Sequence, residues 1–286
     1  MLQPKIIKIN CPSVIHGESP IWVSSKNSIF WVDVYGKKIL QYHLGKKKTF
    51  IYKVKEIIGF ICHVFNSQFI IGLRSGVYFY DIKKKKYKKI ESTSIKNKNF
   101  RLNDGKCDNN GSLWFGVLDT KKKENGYLAK LDSSLRCKIV DIGYITPNGP
   151  AFSNNYKTMF HSDSSKKIIY KFFLNKNKIY KKTIFKNFTN FGGSPDGMTV
   201  DCDDNLWVCL YRSSLIVCLN KKGRVIESIK MPTKYITSCT FFGKKLDKLF
   251  VTSSQKEILK LSKRKNYSYI FNIKNIGNDT KRFKNY

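Results

Sequence analysis

The sequence has few arginines and many lysines. Only seven of its 54 basic residues are Arg, the side chain that recognises phosphate and guanine through paired hydrogen bonds. A formal charge of +34 still raises the question of a polyanionic partner. The lysines, however, stand in short runs between strand-like segments, at residues 46–48, 83–86 and 121–123. We interpret them as solvated loop lysines, and no specific nucleic-acid partner is expected.

Several signatures of other protein classes are missing. The eight cysteines form no C-x-x-C pair, which argues against a zinc knuckle or a thioredoxin-type site. No G-x-S-x-G motif supports a serine hydrolase. No apolar run approaches the length of a membrane span, and the first residues, MLQPKIIKIN, contain no long apolar segment. A cytoplasmic protein with reduced thiols and no membrane partner is the expectation.

The chain contains six similar segments. Each follows a turn-like polar stretch, and their aligned positions recur every 39 to 47 residues. The segments are SIFWVDV, QFIIGLR, SLWFGVL, TMFHSDS, NLWVCLY and KLFVTSS, with Trp31, Ile70, Trp114, Phe160, Trp207 and Phe250 at the aligned position. A second apolar run of strand type follows each segment, and helical periodicity is weak.

A repeat of about 40–50 residues is the size of a four-stranded propeller blade. The six copies predict an all-β fold, a six-bladed β-propeller that forms a single domain over residues 1–286. Strand-like runs at both ends, IIKIN and YSYIFNIK, are expected to share one blade and close the ring. A β-sandwich is the alternative, but it needs no phased repeats.

Polar residues occupy one phase of this repeat, 11 to 13 positions before the aligned residue. They are Glu18, Asn103, Asn148, Asp196 and Ser238, whereas the second repeat has Ile58 and Gly59 there. Residues in one phase should converge on one mouth of the central channel. Each could equally be an ordinary turn residue, but together their oxygen atoms suit a hard cation such as Ca²⁺, Mg²⁺ or Mn²⁺. A metal site at the channel mouth is therefore predicted.

The chain resembles the SMP-30/gluconolactonase/regucalcin-like family. The matching stretches follow the family order over nearly the whole chain: GESPIW, FRLNDGKCDNNGSLWFG, ITPNGPAFSNNYKTMFHSDS, GGSPDGMTVDCDDNLWVCLY and ITSCTFFGKKLDKLFVTSS. The tail, YIFNIKNIGNDTKRF, also looks like the closing segment of the family. Each motif is weak alone, whereas the combination is specific. The family fold, a six-bladed propeller, agrees with the repeat count.

The resemblance implies a site and an activity. The family's metal ligands correspond to Glu18, Asn148 and Asp196, and its substrate-binding pair to Arg101 and Asn103. Family members hydrolyse lactones of sugars or related acids with Ca²⁺, Zn²⁺ or Mn²⁺. We expect Ca²⁺ here, with Zn²⁺ and Mn²⁺ as alternatives, and a small-molecule lactone as the partner. The natural lactone and the oligomeric state are not indicated by the sequence.

Two departures from the family pattern concern the site. Ser19 stands where the family usually has Gly, so the turn after Glu18 is expected to be more crowded. The segment between Asp119 and Gly126 carries KKKE where the family varies and often contacts substrate. Asp119 and Glu124 are the candidate substrate contacts there.

The expected reaction is metal-assisted hydrolysis. The cation would polarise the lactone carbonyl, Asp196 would take a proton from the attacking water, and Arg101 and Asn103 would orient the ring. A non-enzymatic calcium-binding propeller of the regucalcin type is the first alternative, because a fold does not determine a function. A basic nucleic-acid-binding protein is the second, and it would require lysines gathered on one face.

Overall fold

The structure consists of six four-stranded antiparallel sheets arranged as the blades of a propeller. It is a computed structural model that describes residues 4–9, 11–176, 178–255, 268–272, 277 and 284. The six-bladed, all-β architecture predicted from the repeats is therefore confirmed. The prediction that residues 1–286 form one domain remains a prediction.

Successive strands along the chain lie side by side in each blade, from the central channel outward. A short strand, β1 (Ile7–Lys8), precedes the first complete blade. The first three blades contain β2 (Gly17–Val23), β3 (Ser28–Asp33), β4 (Lys38–His43) and β5 (Lys48–Lys53); β6 (Ile58–Phe65), β7 (Gln68–Leu73), β8 (Gly76–Asp81) and β9 (Lys86–Lys89); and β10 (Phe100–Cys107), β11 (Leu113–Asp119), β12 (Gly126–Leu131) and β13 (Cys137–Tyr144).

The next three blades follow the same plan. They contain β14 (Pro147–Phe152), β15 (Thr158–Asp163), β16 (Ile168–Asn175) and β17 (Lys178–Asn187); β18 (Ser194–Val200), β19 (Leu206–Tyr211), β20 (Leu215–Leu219) and β21 (Val225–Lys230); and β22 (Ile236–Phe242), β23 (Lys248–Ser253) and β24 (Tyr269–Asn272). In the described residues, three single-turn 3₁₀ helices connect strands, at Ser24–Lys26, Glu91–Thr93 and Thr189–Phe191.

The N-terminal strand completes the last blade. β1 pairs antiparallel with β24, with Ile7 opposite Ile270 and Lys8 opposite Tyr269. The predicted sharing of one blade by the two ends is thus confirmed. Hydrogen bonds between the two ends close the ring and cover a strand edge that would otherwise be open.

The aligned segments of the repeat are the second strands of their blades. Their large aromatic residues lie between neighbouring blades: Trp31 packs 5.0 Å from Phe250, ring centre to ring centre, and Trp114 and Trp207 are fully buried. Trp114 and Trp207 also donate their indole N–H to Asp108 and Asp201, at 2.8 and 3.0 Å. These two carboxylates also cap the turns before β11 and β19, so the indole N–H groups of Trp114 and Trp207 are paired, whereas Trp31 Nε1 has no partner among the described residues.

Every innermost strand has an irregularity at the same place. The pairing with the second strand shifts at Glu18/Ile21, Ile58/Phe60, Leu102/Gly105, Asn148/Ala151, Pro195/Met198 and Ile236/Cys239. A bulge adds residues to one strand and redirects its side chains. The six bulges explain how polar residues next to an apolar strand can turn into the channel.

Candidate functional site

The polar residues that share one repeat phase lie near the start of the innermost strands, at one end of the channel. Glu18 and Asn148 are the second residues of β2 and β14, and Asp196 is the third residue of β18. All three side chains are buried, and Asn103 in β10 is half-buried. Because the innermost strands run side by side around one axis, these residues face a common space.

The two amides of the site are directly bonded. The Asn103 side chain donates Nδ2–H to Asn148 Oδ1 at 2.5 Å and to the Pro147 carbonyl at 2.7 Å. Asn148 in turn donates Nδ2–H to Ser164 Oγ at 2.7 Å. An amide oxygen has two lone pairs, so Asn148 Oδ1 can accept from Asn103 and still serve as a ligand.

Three carboxyl groups share the channel. Burial, followed by the charges of Asp196 and Asp104, raises the pKa of Glu18 well above its usual value. Burial and the charge of Asp104 raise the pKa of Asp196 in the same way. Burial also raises the pKa of Asp104 to about 6, although the nearby Lys106 ammonium opposes the shift. Three like charges in a buried space are unfavourable without a compensating positive charge.

Asp196 has an unusual environment for a buried carboxylate. Its Oδ1 atom is buried and has no hydrogen-bond partner among the described residues. The following residue, Gly197, approaches Ser238 so closely that a Cβ would lie 2.0 Å from Ser238 Oγ. Only glycine fits this position, and the backbone at Asp196 is thereby held against the neighbouring blade.

Arg101 is held in one orientation beside the amides. Its Nη1 atom donates to Asn103 Oδ1 at 2.9 Å and to the Leu102 carbonyl at 3.0 Å, and the guanidinium also hydrogen bonds with Tyr35. Burial lowers the pKa of Arg101, and the charge of Glu18 opposes that shift. A fixed guanidinium next to a carboxamide can bind several oxygens of a small polar ligand.

His16 lies close to Glu18. Its Nε2 atom is 3.7 Å from Glu18 Oε1, and its Nδ1 atom is 2.7 Å from Ser254 Oγ. Ser19 follows Glu18 at the bulge of β2 and has a left-handed φ of 47°. Ser19 Oγ accepts the Ile61 N–H at 3.2 Å. The serine therefore adopts a conformation that usually favours glycine, and its hydroxyl forms a hydrogen bond with β6 of the neighbouring blade.

Two further aspartates hold the chain that leads into the site. Asp33, at the end of β3, accepts backbone N–H bonds from Ile15, His16 and Gly36 at 3.0–3.1 Å. Asp163, at the end of β15, accepts them from Ile145 at 2.8 Å and Thr146 at 3.1 Å. Each carboxylate thus fixes the residues directly before a predicted ligand, Glu18 in one blade and Asn148 in the other.

Removal of the Asp33 carboxylate tests this positioning. We expect Asp33→Ala to lower the free energy of unfolding by about 3 kcal/mol, because three backbone N–H groups lose a charged acceptor. Asp132→Ala is a matched control: Asp132 accepts N–H bonds from Ser134 and Arg136 at 2.9 and 3.0 Å, but these lie in an exposed turn. The control should cost less than about 1 kcal/mol in urea unfolding. Equal losses in the two variants would contradict a special role for Asp33.

The two candidate contacts in the loop after β11 lie in different environments. The buried Asp119 accepts the Lys121 backbone N–H at 2.8 Å and the Asn125 side-chain N–H at 3.1 Å. Glu124 is exposed and forms an ion pair with Lys166. Like Asp33 and Asp163, Asp119 is the last residue of the second strand of its blade, and its bonds hold the loop that follows. Their role in substrate binding remains a prediction.

Three residues near the site were not predicted from the sequence. Asp104 follows Asn103 in the N-D-G turn, and its Oδ2 atom accepts the Gly149 N–H at 3.1 Å. Tyr35 follows the first aligned segment, and Lys122 lies in the variable loop. The repeat phase could have suggested Asp104, whereas only the folded geometry brings Tyr35 to Arg101.

The possible metal ligands of the site are oxygen atoms from carboxylate and amide side chains. In the part of the chain that the structure describes, no group of three or more His, Cys, Asp or Glu is placed to hold a metal ion. The predicted set contains two carboxylates and one amide, so only two of its members are of these residue types. A buried pair of carboxylates with an adjacent guanidinium can bind a cation, abstract a proton and hold a polar ligand.

Comparison with known proteins finds similarity to lactonases and regucalcins. The family model described as "SMP-30/Gluconolactonase/LRE-like region" matches residues 16–255. A putative sugar lactone lactonase, YvrE, from Bacillus subtilis is 28% identical over 248 residues, which cover 85% of this chain and 84% of the relative. Regucalcin from Gallus gallus is 25% identical over 91% of both chains.

A solved structure has nearly the same backbone. A luciferin-regenerating enzyme superimposes with a TM-score of 0.92 at 25% sequence identity, over 98% of this chain and 99% of the other. The resemblance inferred from the motifs is thereby confirmed by sequence and by structure. No helix in the described part of the chain is long and apolar enough to cross a membrane.

Proposed function

The chain belongs to the SMP-30/gluconolactonase/LRE-like family, and we propose that it hydrolyses a sugar lactone with the aid of one divalent cation. The observation that carries the proposal is the buried group formed by Glu18, Asn148 and Asp196, in which Asp196 Oδ1 has no partner among the described residues. The similarity to the putative sugar lactone lactonase YvrE of Bacillus subtilis supports the substrate class.

The site fits a cation on physical grounds. The pKa values of Glu18 and Asp196 are raised by burial and by neighbouring carboxylates, so the charged forms lack sufficient compensation within the protein. A divalent cation would supply that positive charge, and the unpartnered Asp196 Oδ1 atom could bind it directly. Glu18, Asn148 and Asp196 are the residues that would hold it.

Oxygen donors favour a hard cation. Carboxylate and amide oxygens are typical Ca²⁺ ligands, and the absence of thiolate or imidazole from the proposed set argues against a structural zinc site. We favour Ca²⁺, with Mn²⁺ and Zn²⁺ as alternatives. When bound, the cation would act as a Lewis acid toward the lactone carbonyl.

The protein's own residues would bind the substrate and transfer the proton. Arg101 and Asn103 bind substrate oxygens and orient the ring, because their mutual bond at 2.9 Å fixes both side chains. Asp196 accepts a proton from the attacking water, whose oxygen forms a bond to the acyl carbon. The acyl carbon–ring oxygen bond breaks, the ring oxygen takes the proton that Asp196 had accepted, and the product is the open hydroxy acid. Asp119 and Glu124 are retained as candidate contacts to the distal part of the substrate.

A non-enzymatic calcium-binding role is the second candidate. It is supported by the similarity to regucalcin, which extends over 91% of both chains. This role needs the cation-binding residues but gives no reason for the fixed Arg101–Asn103 pair. The two candidates therefore differ in whether the guanidinium and its amide partner are required.

The proposed function is tested by hydrolysis of glucono-δ-lactone. Protein stripped of metal by a chelator should be inactive above spontaneous ring opening, and Ca²⁺, Mn²⁺ or Zn²⁺ added singly should restore turnover. Acid release at constant pH measures the rate. Turnover that is unaffected by the chelator contradicts metal dependence. Tight Ca²⁺ binding without hydrolysis of any of a panel of sugar lactones favours the regucalcin-type role.

A further inference from the structure

Tyr35 lies in the short loop between β3 and β4, at the same end of the first blade as the predicted site. The residues on both sides of it are held by hydrogen bonds. The Val34 N–H bonds to the His16 carbonyl at 2.9 Å, and the Gly36 N–H bonds to Asp33 Oδ1 at 3.1 Å. A Cβ on Gly36 would lie 2.0 Å from Asp33 Oδ2, so only glycine fits there. This tight turn fixes the backbone from which the Tyr35 side chain starts.

The Tyr35 ring is also supported from the side. The His16 ring packs edge-on against it, with 5.6 Å between the ring centres and 61° between the ring planes. His16 is itself held, because its Nδ1 atom lies 2.7 Å from Ser254 Oγ and its backbone N–H bonds to Asp33 at 3.0 Å. Tyr35 is half-buried and packs against the apolar core between the first two blades. These contacts restrict the direction in which the phenol group points.

The phenol group reaches Arg101 in the third blade. The guanidinium hydrogen bonds with Tyr35, and the phenol oxygen accepts, because arginine has no acceptor atom. Burial lowers the pKa of Arg101, and the contact with Tyr35 opposes that shift. The other two bonds of the guanidinium go to Leu102 and Asn103, which belong to its own strand. Tyr35 therefore holds Arg101 from a different blade, which its own strand cannot do.

The second blade, which lies between Tyr35 and Arg101 in the ring, has no polar side chain in the repeat phase. It has Ile58 and Gly59 there, and neither side chain can bond to a guanidinium. A Cβ on Gly59 would lie 2.1 Å from the Asn103 carbonyl oxygen, so β10 approaches β6 closely at this point. The bond that Arg101 does not receive from these two residues is supplied by Tyr35 of the first blade.

We propose that Tyr35 is a positioning residue, whose phenol oxygen fixes the Arg101 guanidinium in the direction from which it binds the oxygens of the sugar lactone. The inference rests on the proposed lactone hydrolysis and deepens it by adding a residue that acts through Arg101. A guanidinium held from two blades loses less conformational freedom on binding a ligand than one held only by its own strand. Loss of the phenol oxygen should therefore weaken substrate binding and leave the bond changes of the reaction unaffected.

Tyr35→Phe tests this role, because it removes only the phenol oxygen and keeps the ring that packs against His16. With glucono-δ-lactone, we expect KM to rise about 10-fold and kcat to change by less than about 2-fold. The Kd for Ca²⁺ should be unchanged, since Tyr35 is not among the proposed cation ligands. An equal loss of Ca²⁺ affinity would contradict the proposal. Tyr52→Phe is the matched control: it removes a bond to Gln41 Oε1 at 2.8 Å in the same blade and should leave KM unchanged.

A double-mutant cycle distinguishes positioning of Arg101 from a general loss of structure. In the Arg101→Ala background, Tyr35→Phe should change KM by less than about 2-fold, because the guanidinium that it holds is gone. Arg101→Met, which keeps most of the side-chain stem, gives the same test if the alanine variant does not fold. An effect of Tyr35→Phe that is equally large with and without Arg101 would overturn the inference.

Binding of the hydrolysis product separates this inference from the proposed function. Calorimetry with gluconate in the presence of Ca²⁺ measures the contribution of Tyr35 without any turnover. If no lactone is hydrolysed but gluconate binds about 10-fold more weakly to Tyr35→Phe, the proposed function fails and the positioning role stands. If the lactone is hydrolysed and Tyr35→Phe changes neither KM nor the Kd for gluconate, the positioning role is overturned and the proposed function stands.

Discussion

Asp196→Asn should reduce lactone turnover by at least about 10³-fold and leave the protein folded. Asparagine keeps the size of the side chain but cannot accept a proton from water, and it removes one negative charge from the proposed cation site. The loss should appear in kcat, because the proton transfer belongs to the chemical step. Initial rates with saturating lactone and added Ca²⁺ measure the effect.

The fold should tolerate this change because Asp196 forms no ion pair in the described part of the chain that the substitution would break. Its Oδ1 atom has no partner in the described residues, and Asp104 repels it. Asp203→Asn is the control, since Asp203 lies in an exposed turn of the same blade. Circular dichroism and Tm should be similar for both variants. If Asp196→Asn retains more than a tenth of normal turnover, Asp196 is not the base.

The repeat predicted the blades because strand pairing in a propeller is local. All six aligned segments are second strands, and the innermost strand lies directly before each one. The period alone gives the number of blades, since each blade contacts mainly its neighbours. Pairing of the two chain ends was also predictable, because a ring of blades leaves two strand edges that must meet.

The repeat phase also indicated which residues meet at the mouth of the channel. Asn103 and Asn148, 45 positions apart, are hydrogen bonded at 2.5 Å, and Glu18 and Asp196 are close enough for one charge to raise the pKa of the other. These residues come together because equivalent positions of a cyclic repeat lie around one axis. The repeat phase does not indicate which metal binds or how it is coordinated, so both remain proposals.

Other parts of the site depend on the directions of individual side chains, which the sequence repeat does not predict. Asp33, Asp119 and Asp163 are each the last residue of the second strand of their blade, and each binds backbone N–H groups of the loop that follows it. Only Asp33 and Asp163 are also seen to bind residues that lead into an inner strand. The hydrogen bond of Tyr35 with Arg101 likewise joins two blades through side chains alone.

Stability and function are expected to oppose each other at Glu18. Its raised pKa means that the folded, metal-free protein holds a proton more tightly than the unfolded chain does. The unfolded chain releases this proton as pH rises through about 4.5, the ordinary pKa of the group, so the contribution of Glu18 to stability falls above that pH. Glutamine cannot ionise, and Glu18→Gln should remove this loss.

Glu18→Gln should therefore stabilise the metal-free protein by about 1–3 kcal/mol at pH 7.5, relative to the unchanged chain. Added Ca²⁺ should reverse the order. At about 100 times its Kd, the cation should stabilise the unchanged protein by about 2.7 kcal/mol and the variant much less, because one charged ligand is missing. Urea unfolding with chelator and with Ca²⁺ measures both effects, and Glu227→Gln, on the outer strand β21, is the control. A variant that is less stable without metal, or that gains as much from Ca²⁺ as the unchanged protein does, would show that Glu18 does not hold the cation.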